Sequence, residues 1–183
     1  MGYLRLVRSP AAGPAADSAC IEAFDRELDF LFENLHRLGA ATREIEDLAQ
    51  EVFVILHKNW ATVDLDRPLR PYLFGIAYRL VSANRRRRAR EIPAPALDVE
   101  DAGVSPEGNL ERKESVRILM AALERVPVRR RAVLIMHDLE GIPIVDIARS
   151  LSITRFGTYA RLRKARAELT TAVSRLMRAR RSK

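Results

Sequence analysis

Apolar residues recur every three or four positions along most of the chain, a spacing typical of amphipathic helices. The clearest stripe runs through residues 19–38 and ends at Gly39, a residue type that commonly follows the last turn of a helix. Further helices are predicted in four segments: Thr42 to about Asn59, Arg70 to Arg90, about Asn109 to Glu124, and Pro127 to near Gly141. No segment alternates convincingly between apolar and polar residues, so we predict an all-α fold.

The segment from Gly141 to Arg166 has the pattern of a helix-turn-helix. Pro143 can open a short helix, whose apolar positions recur at helical spacing as far as Leu151. A turn follows through residues 150–153, and the outward face of the next helix is basic. This pattern predicts a positively charged helix that can enter the major groove of DNA.

Composition divides the chain into two helical parts. Residues 92–108 are rich in proline, glycine and acids and lack periodicity, which predicts a linker between two small domains. Residues 1–18 are rich in alanine, proline and glycine, and we expect them to be disordered. The predicted division is a 1–18 extension, a 19–91 N-terminal domain, a 92–108 linker, a 109–176 C-terminal domain with the helix-turn-helix, and a 177–183 basic tail.

The net charge of +8 is distributed unevenly along the chain. Residues 154–183 contain ten basic residues and one acid, and residues 85–90 contain five arginines. Residues 91–111, by contrast, contain six acids and no base. A single basic run is often only a solvated helix face. Two such runs, each ending a helix, favour a polyanionic partner such as nucleic acid.

The sequence gives little support to other classes of function. The single cysteine, Cys20, excludes a disulfide framework, and the three histidines are not at metal-ligand spacing. There is no glycine-rich phosphate loop, nucleophile motif or paired-carboxylate signature. We therefore expect neither an enzyme nor a bound metal or cofactor. Because no apolar run is long enough to span a bilayer or to form a signal peptide, we expect no membrane insertion and a cytoplasmic location.

Two of the predicted helices have informative faces opposite their apolar stripes. On the helix that ends near Asn59, periodicity alone indicates only a solvated polar surface. On the helix from Arg70 to Arg90, Phe74, Tyr78, Ser82 and Arg85 share one face. Aromatic rings beside an arginine run suit single-stranded nucleic acid, because bases stack on the rings while the charges contact the backbone. The alternative, equally compatible with the pattern, is that another helix covers Phe74 and Tyr78.

The chain as a whole resembles a bacterial sigma factor of the extracytoplasmic-function (ECF) type. The matching segments occur in the family's order across roughly residues 21–175, with a linker at the expected place. They are Glu46–Phe53 (EDLAQEVF), Arg70–Ala77 (RPYLFGIA) followed by Arg85–Arg88, Leu123–Leu134 (LERVPVRRRAVL), Asp138–Gly141 (DLEG), Asp146–Ala148, and Arg161–Arg166 (RLRKAR). Several motifs in order are far more specific than any one of them.

This resemblance implies a protein that binds core RNA polymerase and directs it to specific promoters without being an enzyme itself. It implies that the clamp helices of the polymerase contact the following side chains: Asp47, Gln50, Glu51 and Val54. It implies that the minus-ten promoter element is melted and bound by a second set, with residues 60–70 holding a flipped base: Trp60, Tyr72, Phe74, Tyr78, Arg79, Ser82, Arg85 and Arg86. Members of the family are commonly held inactive by an anti-sigma factor, so such a protein is a further candidate partner.

The helix-turn-helix corresponds in this family to the part that binds the minus-thirty-five element. The outward positions predicted to contact that duplex are Arg155, Phe156, Tyr159, Ala160, Arg161, Arg163 and Lys164. Arginine and lysine can bond guanine edges, and apolar groups can contact thymine methyl groups.

Three positions depart from the family's pattern. The Gly157–Thr158 pair is displaced by one residue at the start of the recognition helix. Arg79 stands where the family often has asparagine, and Tyr72 where tryptophan is commoner. These differences bear on which promoter is recognised. The main alternative is a stand-alone helix-turn-helix regulator whose N-terminal helices dimerise, and a helical interaction protein with a basic tail is a further one.

Overall fold

The structure, a computed structural model, describes residues 14–91 and 110–181. These residues form α-helices joined by short turns, with no strand, which confirms the predicted all-α class. The helices are α1 Pro14–Asp25, α2 Leu28–Leu38, α3 Ile45–Asn59, α4 Leu69–Glu91, α5 Leu110–Arg125, α6 Val128–Leu134, α7 Ile144–Ser150 and α8 Arg155–Arg181. Two 3₁₀ turns lie at Thr42–Glu44 and Trp60–Thr62, and a π-helical turn at Ile135–Leu139 continues α6. The predicted linker 92–108 lies outside the described residues.

Helices α1 to α4 form the N-terminal module. The apolar stripe of α2 places Leu31, Leu35 and Leu38 in the core, where α3 and α4 pack against it. Gly39 ends α2 with a positive φ of 89°, and its N–H donates to the carbonyl oxygen of His36 at 2.9 Å. This left-handed termination, which glycine adopts without steric cost, turns the chain toward α3.

The first apolar stripe belongs to two helices, not to the single helix that the spacing predicts. The helical path breaks after Asp25 and resumes at Leu28. This break lets Cys20 and Phe24 on α1 and Phe30 on α2 all reach one core. Helix α1 also begins earlier than expected, so residues 14–18 are helical although we predict them to be disordered. Proline suits the first turn of a helix because its missing N–H would have no partner there.

Helices α5 to α8 form the C-terminal module. Helix α8 is long and packs along α5 and α6, and its helical part includes residues 177–181 of the predicted basic tail. Thr154 caps it, because the backbone N–H of Gly157 donates to the Thr154 hydroxyl oxygen at 3.0 Å. The predicted helix-turn-helix is thus present as α7, a turn, and α8.

The two modules share a buried contact centred on Arg131. This side chain is 0% exposed and donates to three backbone carbonyl oxygens: Val126 at 3.1 Å, Leu38 at 3.0 Å and Glu124 at 2.5 Å. Leu38 belongs to the N-terminal module and the other two to the C-terminal module. Burial, helped by the positive charge of Arg85, lowers the pKa of Arg131 to about 10, against the opposing effect of Glu124. Arg131 therefore stays charged at neutral pH and ties the end of α2 to α6 and to the end of α5.

A second polar contact between the modules involves Glu140. Its Oε1 accepts from Arg37 Nη1 at 2.5 Å and from Asn34 Nδ2 at 3.1 Å. The Glu140 side chain is largely buried, so the pair is better shielded from solvent than an ordinary surface ion pair. The modules are therefore joined at two places along α2.

Candidate protein- and nucleic-acid-binding surfaces

The four residues predicted to contact a protein partner lie together on α3. Asp47, Gln50, Glu51 and Val54 are all exposed and line one shallow depression. Val54 is 46% exposed although it is apolar. None of the ion pairs among the described residues involves Asp47 or Glu51. The patch therefore offers two uncompensated carboxylates around an apolar centre.

Beside this patch lies a groove that the helical pattern did not single out. It runs between α1, α2 and α3, and Ile21 and Phe32 contribute exposed apolar surface to its walls. Phe53 lies at its base with its ring stacked at a tilt on that of Phe24, the centroids 5.0 Å apart. Glu46 lines the groove, and Gln50 lines both the groove and the α3 patch. Phe32 directly follows the core residue Leu31 and therefore lies outside the apolar stripe of α2. An apolar residue at such a position is the sequence signal that could have indicated this groove.

Three residues predicted to contact single-stranded DNA are buried. Phe74 is 0% exposed, Ser82 is 7% exposed and Trp60 is 8% exposed. Helix α4 packs against three helices, α2, α3 and α7, and Phe74 lies buried within this packing. Other helices therefore cover Phe74, as the alternative interpretation of the pattern predicts. The Ser82 hydroxyl has no hydrogen-bond partner among the described residues.

The other predicted residues of this set remain accessible to different degrees. Tyr72 and Tyr78 are half-buried, and Arg79, Arg85 and Arg86 are exposed. Burial raises the pKa of the Tyr72 phenol, while nearby Arg79 opposes the rise, so the hydroxyl is neutral at physiological pH and can donate a hydrogen bond. The arginines continue along α4 and leave a cationic stripe that suits phosphate groups.

The end of α7 lies on the same part of α4. The Ser150 hydroxyl donates to the Pro71 carbonyl oxygen, and Arg79 Nη1 donates to the Ser150 carbonyl oxygen at 3.3 Å. A Cβ at Gly75 would lie 2.5 Å from the Ser150 hydroxyl oxygen and 2.9 Å from its carbonyl oxygen. The two helices approach this closely because position 75 has no side chain.

A cavity of about 320 Å³ separates the modules beside this contact. One wall is the predicted base-holding loop and the start of α4, including Asp64, Arg67 and Tyr72. The other wall is the helix-turn-helix, including Asp146 and Arg149. The helix-turn-helix therefore stands opposite the loop across this cavity.

The outward face of α8 is where the helical pattern predicts it. Phe156 is 85% exposed and Tyr159 is 60% exposed, while Arg155, Arg163 and Lys164 are exposed as well. Ala160 and Arg161 are intermediate. The opposite face is core, with Thr158, Leu162 and Ala165 buried. All seven residues predicted to contact duplex DNA thus have solvent-accessible surface.

Ion pairs remove negative charge from the neighbourhood of this face. Glu168 is the only acid on α8, and Arg130 binds it through two nitrogens, Nε at 2.8 Å and Nη2 at 2.6 Å. Asp138 accepts from Arg166 at 2.6 and 2.8 Å. This hydrogen bonding by Arg166 lowers the pKa of Asp138, although burial opposes the shift. No ion pair among the described residues involves Arg155, Arg163 or Lys164, so these basic residues are available to a polyanion.

The described residues include no group of three or more His, Cys, Asp or Glu side chains placed to hold a metal ion. Their helices also lack an apolar stretch of the length that a bilayer-spanning segment needs.

Two family models match the chain, each on one module. The model for sigma-70 region 2 matches residues 23–91, and the model for sigma-70 region 4 matches residues 117–169. The chain is 26% identical over 138 residues to the RNA polymerase sigma factor NccH of Alcaligenes xylosoxydans xylosoxydans, covering 72% of this chain and 74% of the relative. It is 28% identical over 152 residues to the ECF sigma factor SigM of Mycobacterium tuberculosis, covering 80% and 75%.

Two solved structures have the same fold. One is the sigma factor RpoE in complex with the anti-sigma factor NepR from Bartonella quintana, with a TM-score of 0.68 at 17% identity over 88% of this chain and 98% of that one. The other is CnrH in complex with the cytosolic domain of CnrY, with a TM-score of 0.61 at 21% identity over 86% and 89%. Both sigma-70 regions are present in family order, on two helical modules that carry the predicted α3 patch and recognition helix. The chain therefore belongs to the sigma-70 family and is a sigma factor of the ECF type.

Proposed function

We propose that this sigma factor binds core RNA polymerase through the α3 patch and holds promoter DNA at two places, one on each module. The family assignment makes it a transcription initiation factor that binds core RNA polymerase and directs it to promoters. The division of labour among residues is our proposal. The observation that carries it is the pair of accessible faces, acidic and apolar on α3 and basic and aromatic on α8, at the positions that the family motifs indicate.

The α3 patch suits a basic helical surface on the polymerase. Asp47 and Glu51 would attract positive charge, and exposed Val54 would bury apolar area at the centre of the contact. We expect the double variant Gln50→Ala/Glu51→Ala to lose about ten-fold in affinity for core enzyme, measured by fluorescence-detected titration. Asp29→Ala, which removes an exposed acid from α2, serves as the matched control. Unchanged affinity of the double variant would remove these residues from the interface.

At the minus-ten element, we propose that the melted strand follows the arginines of α4 and that the 60–70 loop receives a base. Tyr72 and Arg79 then belong to this site together with Arg85 and Arg86. Because α7 covers part of the same surface, binding of the strand requires the two modules to separate at Gly75. Phe74, Ser82 and Trp60 contribute by supporting the surface from within and do not contact the strand in the described arrangement.

Run-off transcription with purified core polymerase tests the function directly. On a pool of genomic promoters we expect specific transcripts that core enzyme alone does not make. Absence of any such transcript would contradict the proposal. A stand-alone regulator, the less favoured alternative, would instead bind its operator tightly without polymerase.

The assignment also bears on activity, location and regulation. Sigma factors are not themselves enzymes, so we propose that the chain acts by binding alone, in the cytoplasm where the polymerase is. One solved neighbour, RpoE, is in complex with the anti-sigma factor NepR, and the other, CnrH, is in complex with the cytosolic domain of CnrY. The first complex supports an anti-sigma factor as a third partner of this chain. Co-purification of an inhibitory protein from the host, followed by loss of run-off transcription when it is added back, tests that partner.

A further inference from the structure

The start of the recognition helix carries an aromatic surface that the fold does not require. Phe156 is the most exposed of the large hydrophobic residues in the described part of the chain, at 85%, and Tyr159 beside it is 60% exposed. Isolated exposed apolar residues are common on protein surfaces. Two aromatic rings side by side on one face of a helix, each more than half in water, instead indicate a surface that a partner covers.

The local structure fixes where these rings point. The backbone N–H of Gly157 donates to the Thr154 hydroxyl oxygen at 3.0 Å, and the Thr158 hydroxyl donates to the Thr154 carbonyl oxygen at 3.0 Å. Thr158 is fully buried, so the side of the helix on which it lies is the core side. At 100° per residue, Phe156 lies about 160° around the helix from Thr158 and Tyr159 about 100°, so both rings are directed away from the core.

The surroundings of the rings identify the class of partner. Arg155, Arg163 and Lys164 are exposed around them, and the only acid on α8, Glu168, is neutralised by Arg130. An apolar tip within a positive surface at the N-terminal end of a recognition helix fits the major groove of duplex DNA.

The chemistry of the Phe156 ring indicates which DNA base it contacts. A phenylalanine ring has no hydrogen-bond donor or acceptor, so it cannot satisfy the edges of guanine, adenine or cytosine. The one apolar group on the floor of the major groove is the 5-methyl group of thymine. We propose that Phe156, supported by Tyr159, contacts thymine methyl groups in the upstream promoter element and so sets part of the promoter specificity. This proposal rests on the proposed function, and it predicts thymines opposite the first turn of α8.

Replacing thymine by deoxyuridine removes only the methyl group and therefore tests this contact. Promoters would first be selected with the holoenzyme, and each thymine of the upstream element would then be replaced singly. We expect one or two positions at which the replacement weakens holoenzyme binding about four-fold, the effect of losing one buried methyl group. For Phe156→Ala, we expect equal affinity for the thymine and deoxyuridine templates at those positions. Phe156→Leu, which keeps an apolar side chain, should retain part of the preference.

Arg155→Ala is the matched control, because loss of a phosphate contact should weaken binding to both templates equally. Circular dichroism of each variant checks that α8 is intact.

Equal binding of thymine and deoxyuridine templates by the wild-type holoenzyme would overturn the proposal while specific transcription still supports the sigma function. A methyl preference that survives in Phe156→Ala would overturn it too. Unchanged binding of Phe156→Ala to both templates would also overturn it and would indicate a protein partner for the rings. Absence of specific transcription from any promoter would instead contradict the proposed function.

Discussion

Arg131 is the residue whose loss should most weaken the association of the two modules. Its guanidinium group is fully buried and donates to the carbonyl oxygens of Leu38, Glu124 and Val126. In Arg131→Met, the methionine keeps much of the side-chain volume but supplies no donor. The change therefore separates the hydrogen bonds from the packing.

Two opposing effects decide the magnitude for this variant. Methionine removes the cost of burying a charge, which can favour an apolar replacement. It also leaves three backbone carbonyl oxygens without their donor, two of them in buried hydrogen bonds, at about 1–3 kcal/mol each. The second effect is larger because three acceptors lose their donor at once. We therefore expect Arg131→Met to lower the free energy of unfolding by about 3–5 kcal/mol.

Urea denaturation followed by circular dichroism measures this loss. For a protein of this size, it should also lower the melting temperature by about 10 °C. Arg129→Met on the same helix is the control, because Arg129 is exposed and its replacement should change stability by less than about 0.5 kcal/mol. A loss below about 1 kcal/mol for Arg131→Met would show that the carbonyl groups find other partners, and the reasoning would be wrong.

Three further predictions concern pH and packing. Burial lowers the pKa of His36, against the opposing effect of Glu124, so the unfolded chain takes up the proton more readily. Stability should therefore fall as the pH drops below about 6.5, and His36→Gln should flatten this slope in urea titrations at pH 7.5 and 5.5. Because the pKa of Asp138 is lowered, chiefly by Arg166, Asp138→Asn should be less stable than wild type at pH 7. Thermal melts should show this difference shrinking below about pH 4 and disappearing once the native carboxyl is protonated; a constant difference would exclude the charge as its cause. Gly75→Ala should destabilise the protein by about 1–3 kcal/mol in the same denaturation assay, since the new methyl group would overlap Ser150, although alanine favours helices. A stabilised Gly75→Ala variant would show that α4 and α7 are not in close contact in solution.

Much of the fold follows from helical periodicity. Helices α2 and α8 each have one apolar and one polar face. The sequence therefore predicts both the helix and which of its faces is directed at the core. The break between α1 and α2 could not be predicted, because the two helices share one core and their apolar residues continue one spacing. Phe24 and Leu28 are four residues apart, and this helical spacing is the same whether or not the helix breaks between them.

The candidate binding surfaces, like the fold, could be predicted only in part from the sequence. The α3 patch and the outward face of α8 are polar faces of amphipathic helices, and both are accessible as predicted. Phe74 could not be placed from the sequence, because its burial depends on how α4 packs against the helices around it. The contact between Gly75 and Ser150 joins residues far apart in the chain, and no local signal marks either as a packing residue.

The close approach of α7 to Gly75 makes one surface of α4 serve two uses that exclude each other. Under the proposed function, promoter DNA binds only the fraction of molecules in which this contact is open. The apparent affinity for the minus-ten strand is then the intrinsic affinity multiplied by that fraction. Each ten-fold fall in the open fraction costs about 1.4 kcal/mol of promoter binding. Any partner that prefers the open arrangement, the polymerase included, would raise promoter affinity without touching the DNA.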